Sequence, residues 1–154
     1  MRWSYTLPME PYGKARPRCE CRGKKPTTRP HPPYEAWMTE AVQRLRLAWR
    51  GPPAAGPLGL VAVLVMPRPA RRPRRTKPRR AVPPELWATG ERVRAPRTPD
   101  TDNAVGAVMD ALTKAGAILD DAEVTDSIER KWWAAAGEEP HIEIEITTMP
   151  WTVG

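Results

Sequence analysis

The sequence predicts an α+β fold: a mixed sheet of about four strands against two main helices, in the order β-α-β-α-β-β, with a basic Pro/Arg-rich insertion at 67–98. Three observations predict it. Two stretches carry apolar residues at spacings of three and four, four short stretches have the length and patterning of strands, and no segment repeats. With 154 residues, one domain spanning 1–154 is the expectation, large enough to bury a core.

Trp3, Tyr5 and Leu7 alternate with Ser4 and Thr6 and stop at Pro8, the period of a half-buried strand. Pro11 to Pro33 is rich in proline, lysine and arginine without either period, which predicts an irregular, solvated loop able to drape over a ligand. From Glu35 to Arg50 the residues Trp37, Met38, Ala41, Val42, Leu45, Ala48 and Trp49 form one helical face, and Gly51-Pro52-Pro53 stops it. Leu58 to Met66 is aliphatic throughout, which suits a central strand covered on both faces. The insertion that follows holds eight basic residues between Arg68 and Arg80, with only Val82, Leu86 and Trp87 to bury. Charges so dense repel one another unless a polyanion neutralises them. Asp102 to Ala115 reads as the second helix, with Ala104, Val105, Val108, Met109, Ala111, Leu112 and Ala115 apolar, Asp102 as cap and Gly116 as stop. Residues 124–134 and 141–149 alternate as strands, and the short connection through Gly137 predicts a hairpin between them. Trp132 and Trp133 then point to opposite faces, one to the core and one free to stack a base or seal a dimer.

Charge is unevenly placed. Residues 1–98 carry 22 basic and 6 acidic side chains, whereas residues 99–154 carry 3 and 12. A basic surface of this strength attracts phosphate backbones, and an acidic cluster beside it repels them unless cations intervene. The pairing suggests a divalent metal between protein and nucleic acid; an Arg-, Ala- and Pro-rich composition without Phe also fits the codon bias of a GC-rich genome. The longest apolar run is too short for a membrane span, and the amino terminus lacks the apolar stretch of a secretory signal, so a cytoplasmic location is expected. Two cysteines cannot staple a chain of this length.

Asp100 and Asp102 flank one residue at a helix start, and Asp120 and Asp121 follow the helix and a loop. Magnesium takes oxygen ligands from one or two carboxylates together with water and substrate phosphate, and these acids supply them. Capping and turn solvation use the same residue types, so the pattern by itself leaves a structural reading open. Cys19, Cys21 and His31 supply three zinc ligands, one short of a structural site. His141 opens a strand and is read as packing or solvated.

Asp100-Thr101-Asp102-Asn103, then Asp110 through Gly116, then Leu119-Asp120-Asp121-Ala122-Glu123-Val124, with the Ile-Glu-Ile-Glu-Ile strand beyond, closely resembles the RusA family of Holliday-junction resolvases over 99–148. The opening strand and the loop with Lys14, Arg16 and Arg18 also resemble the family's start. The resemblance implies a homodimeric, magnesium-dependent endonuclease, with manganese able to substitute, that nicks symmetric strands of four-way DNA junctions in bacterial or phage recombination and repair. It implies Asp100, Asp102 and Asp121 as catalytic carboxylates and metal ligands, with Asp120 a supporting acid. Phosphate contacts are expected from Lys14, Arg16 and Arg18 and, in the insertion, from Arg71, Arg72, Arg74, Arg75, Lys77, Arg79 and Arg80. Where the family usually carries a lysine four residues after the second aspartate, this chain has Gly106, and Lys114 or an arginine of the insertion is a candidate for that cation. The departure keeps open a junction-binding protein of the same fold without cleavage, and a different conformation of the insertion would suit flaps or forks.

Overall fold

The computed structural model describes residues 1–14, 18–22, 25–29, 31–73, 82–96 and 98–152, with the backbone alone for 18–22 and 25–29. In chain order the elements are β1 (Arg2–Leu7), β2 (Arg18–Arg22), β3 (Lys25–Arg29), α1 (Pro32–Ala48), β4 (Leu58–Met66), α2 (Pro84–Ala88), β5 (Val93–Arg94), α3 (Thr101–Ala115), β6 (Val124–Trp133) and β7 (His141–Thr148). The main sheet has five strands in the order β1-β7-β4-β6-β5, and β2 and β3 form a separate antiparallel pair. The α+β class and the central place of β4 hold. No helix among the described residues is long and apolar enough to cross a membrane.

Strand alternation sorts the sheet into two faces. Leu58, Leu60, Ala62 and Leu64 of β4, Ile142, Ile144 and Ile146 of β7, and Leu7 of β1 pack with the buried residues of α1 and α3 in one core. α1 contributes Trp37, Met38, Ala41 and Leu45; α3 contributes Ala104, Val105, Ala107, Val108, Ala111 and Leu112. The opposite face of β4 carries Val61, Val63 and Val65, packed with Ala134 and Trp132 rather than under a helix. Coverage on both faces therefore takes two forms: helices on one side, and on the other only the side chains of neighbouring strands.

Four expectations need correction. The loop from Pro11 to Pro33 contains the β2–β3 pair, which proline and charge concealed. α1 begins at Pro32, three residues before the predicted start, because proline at the first helical positions has a suitable φ and no N–H to waste. Asp100, not Asp102, is the N-cap of α3, and its side chain makes no capping hydrogen bond. Most consequentially, β6 and β7 form no hairpin: β4 lies between them, parallel to β6 and antiparallel to β7. The connection from β6 to β7 crosses the end of β4, where Ala134 N–H donates to the Met66 carbonyl at 2.8 Å. Spanning two strand spacings takes ~10 Å, within reach of the connection 134–140. Glu138 holds it in place by accepting from the Ala135 N–H at 2.7 Å and pairing with Arg92, whose guanidinium also meets Glu143. The hydrogen bond from Arg92 lowers the Glu138 carboxyl below its usual range.

The base of the insertion is folded. Val82 is buried with Met66, Ala95 and Trp133 in a second small core, joined by Trp87. Leu86, expected inside, is half exposed. Of the two tryptophans, Trp133 is the buried one, whereas Arg94 lies 4.3 Å over the Trp132 ring on the open face. Arg68, read from sequence as one more cation of the run, instead joins both ends of the insertion. It donates to the carbonyls of Glu91, Ala134 and Trp87 at 2.8–3.0 Å and stacks 3.7 Å over the Trp87 ring. Its loss leaves three carbonyls without that donor and removes a cation–π contact, so Arg68→Ala should lower the unfolding free energy by about 2 kcal/mol. Urea titration checks this, and Arg68→Lys should recover only a minor part because an ammonium cannot reproduce the planar fork.

Candidate functional site

α3 has an apolar stripe toward α1 and the sheet, and its N-terminus leaves Asp100 and Asp102 exposed one residue apart. Two acids at a helix start are favoured by the partial positive charge of the unpaired N–H groups. The neighbouring segments also bring cations to this end. Lys131 of β6 donates from Nζ to the Pro99 carbonyl at 2.6 Å, and Asp100 and Asp102 lie close enough to favour its charged form. Burial outweighs them, so the ammonium sits below the ordinary lysine range.

The loop after β1 closes on the same end. A Cβ on Gly13 would stand 2.6 Å from the Pro99 Cβ, so only glycine permits this approach beside Asp100. The next residue, Lys14, donates its backbone N–H to the Asn103 carbonyl at 3.1 Å. Its side chain runs along α3, with Cδ 3.9 Å from where a Gly106 Cβ would be and Nζ 3.0 Å from Asp110. Lys14 thus lies over the helix at the position where the family lysine is missing. Tyr34 of α1 meets Asp110 from the other side at 3.4 Å. Partial burial, then the Asp110 charge and hydrogen bond, push the Tyr34 hydroxyl up to about 12.

Asp120 and Asp121 stand elsewhere. Gly116, at φ 77°, ends α3, and the chain then pairs with the segment after α1: Ala54 N–H donates to Ala117, and the Ala54 carbonyl accepts from Leu119. Gly56 N–H donates to Glu123 at 2.7 Å, fixing the 3-10 turn of 121–123. Asp120 caps that turn by accepting from the Ala122 N–H at 2.8 Å, and both aspartates are exposed. This is the C-terminal end of α3. A 15-residue helix spans ~22 Å, and β6 runs back from this turn to Lys131, so the chain holds the acids as two separated pairs. Among the described residues no three His, Cys, Asp or Glu side chains converge as metal ligands.

The remaining expected residues divide similarly. Lys14 faces solvent in part beside the Asp100 end. Arg71 is exposed, and Arg72 donates to the Val82 carbonyl at 2.6 Å. Lys114 lies in the last turn of α3, at the Asp120 end, away from Asp100 and Asp102. Arg16, Arg74, Arg75, Lys77, Arg79 and Arg80 lie outside the described residues, as do the side chains of Arg18, Cys19 and Cys21. His141 hydrogen-bonds Glu143 at 3.1 Å within the Arg92 network, a structural position. Sequence reasoning missed Lys131; its signal was a lone lysine inside a strand, which reads as solvated. It also missed the Asp110–Tyr34 pair.

Two measurements check this geometry. Tyr34 retains its proton in the folded state up to about pH 12, whereas an unfolded tyrosine releases it near 10.0. Its contribution is complete below pH 10 and is lost between about 10 and 12 as the folded state becomes the tighter proton binder. Absorbance titration at 295 nm should show this late phase, and Asp110→Asn should move it downward. At Gly106 the backbone is helical and a methyl group meets only the Lys14 stem at ordinary contact distance, so Gly106→Ala should stabilise the fold by about 1 kcal/mol in chemical denaturation.

No curated protein matches the chain. The family model described as Endodeoxyribonuclease RusA matches residues 8–147, which takes in the chain from the proline that closes β1, both main helices and the acids at each end of α3. The chain belongs to the RusA endodeoxyribonuclease family.

Proposed function

We propose that this protein resolves four-way DNA junctions in the cytoplasm, acting as a homodimer that hydrolyses one phosphodiester in each of two symmetric strands with a divalent metal. The observation that carries the reading is the end of α3: exposed Asp100 and Asp102, with Lys131 and Lys14 beside them, in a chain of an endodeoxyribonuclease family.

The donor set fits the metal. Asp100 and Asp102 offer hard oxygen ligands, Asp100 does not spend its carboxylate on capping, and magnesium asks for one or two carboxylates with its other positions filled by water and phosphate. Asp100 and Asp102 would hold it; Asp121 and Asp120, which the family resemblance adds as catalytic and supporting acids, stand at the other end of α3 in the same chain. When bound, such an ion lowers the pKa of a water and neutralises charge gathering on the phosphate. The chain's own residues do the rest. Lys131, tied to the Pro99 carbonyl, balances the negative charge of the paired carboxylates. Lys14, anchored through its backbone to Asn103 at this helix end and half exposed, carries its ammonium along α3 to Asp110, where it adds positive charge beside the path of a phosphate backbone. Arg71 and the other basic residues of the insertion position the strands through phosphate contacts that carry no sequence information. Two opposed cuts require two sites about a two-fold axis, which is the argument for a homodimer.

Asp102→Asn should abolish magnesium-dependent nicking of a synthetic four-way junction while junction binding survives or tightens, because the substitution removes a ligand and a charge that faces phosphate. Gel assays of cleavage and binding read both, beside linear duplex. Retained nicking by Asp102→Asn would remove Asp102 from the site. A wild-type protein that binds the junction and never cuts it would be the non-cleaving binder that Gly106 makes conceivable.

A further inference from the structure

An open cleft of about 450 Å³ is lined by Pro99, the residue before Asp100. The buried side chains of Met66 and Trp133 form its floor, with Tyr12 and Pro67 around it. Glu10 is the only charged residue in the lining, and among the described residues no lysine or arginine joins it. Rings, prolines and a thioether suit a flat, uncharged group. A phosphate is better served by Lys14, two residues on from Tyr12. The volume lies toward the small end of ligand pockets, roughly 300–1,000 Å³.

Tyr12 is partly exposed and is set in place before a ligand arrives. Its ring packs among Tyr34, Trp37 and His31, with centroids 6.1, 6.4 and 6.4 Å away. Trp37 in turn donates from Nε1 to the Glu10 carbonyl at 2.9 Å, which fixes the loop that carries Tyr12. The close approach of Gly13 to Pro99 then ties this loop to the start of the carboxylate pair, so cleft and acids keep one relative position.

We propose that this cleft receives one nucleobase, turned out of the stack next to the phosphate at Asp100 and Asp102, with Tyr12 as its stacking surface. This rests on the proposed nuclease function and adds to it a reader of DNA structure. Every base has an aromatic face, so stacking on a tyrosine carries little sequence information. What it reads is whether a base is free to leave. Removing one from intact duplex breaks pairing and stacking, and the cost is least where the stack is already interrupted. A branch point is such a place. Phosphate contacts are offered by linear and branched DNA alike, whereas the cleft fills readily only at the branch.

The test uses Asp102→Asn protein, which holds junction DNA uncut. 5-Iodouracil replaces one base at a time on both sides of the exchange point, and irradiation joins it to an aromatic ring that it touches. One position should cross-link to the peptide carrying Tyr12, and the same bases in linear duplex should not. In the same background Tyr12→Leu should lose that cross-link and weaken junction binding roughly tenfold with duplex binding unchanged, whereas Tyr12→Phe keeps both. An abasic nucleotide at the cross-linking position should weaken binding as much as Tyr12→Leu does, and should cost the Tyr12→Leu protein nothing further, because ring and base are two halves of one contact. Circular dichroism and the duplex affinity confirm that the variants fold. No cross-link to the Tyr12 peptide from any position, equal losses on junction and duplex, or additive losses from the abasic site and Tyr12→Leu would overturn the role of the cleft. A wild type that binds the junction and never nicks it in magnesium defeats the nuclease reading alone, and the cross-link still decides the cleft. A wild type that nicks while no base reaches Tyr12 defeats the cleft alone.

Discussion

The pairing of β4 with β6 on one side and β7 on the other is the constraint from which the rest of the molecule follows. A parallel partner cannot be reached by a tight turn, so the chain between β4 and β6 has to cross from one end of the sheet to the other. α3 makes that crossing. Its direction, its burial against the sheet and the placing of an acidic pair at each end follow from the need to start β6 level with Leu58. The insertion occupies the same crossover, which is why its base can tuck against Met66 and Trp133.

What was legible in the sequence was local. The limits of β4 read correctly because nine apolar residues between prolines admit little else, and α3 read correctly because its stripe and Gly116 agree. The hairpin between β6 and β7 failed for an instructive reason. A short connection with glycine is equally compatible with adjacent strands and with strands that straddle a third, and only long-range pairing chooses. The isoleucines of β7 can pair with β4 because both present apolar residues to the helices, whereas β6 presents exposed side chains along most of its length. The β2–β3 pair was hidden differently: arginine, lysine and proline mask a backbone ladder that neither sequence period signals.

The candidate site shows the same limit at a larger scale. Asp100 to Glu123 reads as one continuous motif, and nearness in sequence suggests nearness in space. A helix with a return loop would keep that promise only if the chain doubled back beside the helix start. Here the loop is anchored to Ala54 and Gly56 at the helix end, and β6 sets out from there. Lys14 and Lys131, far apart in sequence, are the residues the fold brings to Asp100 and Asp102.

That assembly also explains how a chain with acidic and basic halves accommodates a polyanion. Two carboxylates one residue apart repel phosphate, and at an exposed surface the repulsion is screened over ~8 Å at physiological salt. Within that distance the balance falls to the groups packed beside them. Lys131 is partly desolvated, so its charge acts through a medium less polarisable than water and counts for more than a surface lysine. Lys14 lies along α3, with its ammonium answering Asp110 and its stem filling the space over Gly106. An alanine methyl at 106 would meet that stem at ordinary contact distance, whereas a side chain as long as lysine would contend with it, so Lys14 of the loop occupies the space that a long side chain on the helix would take.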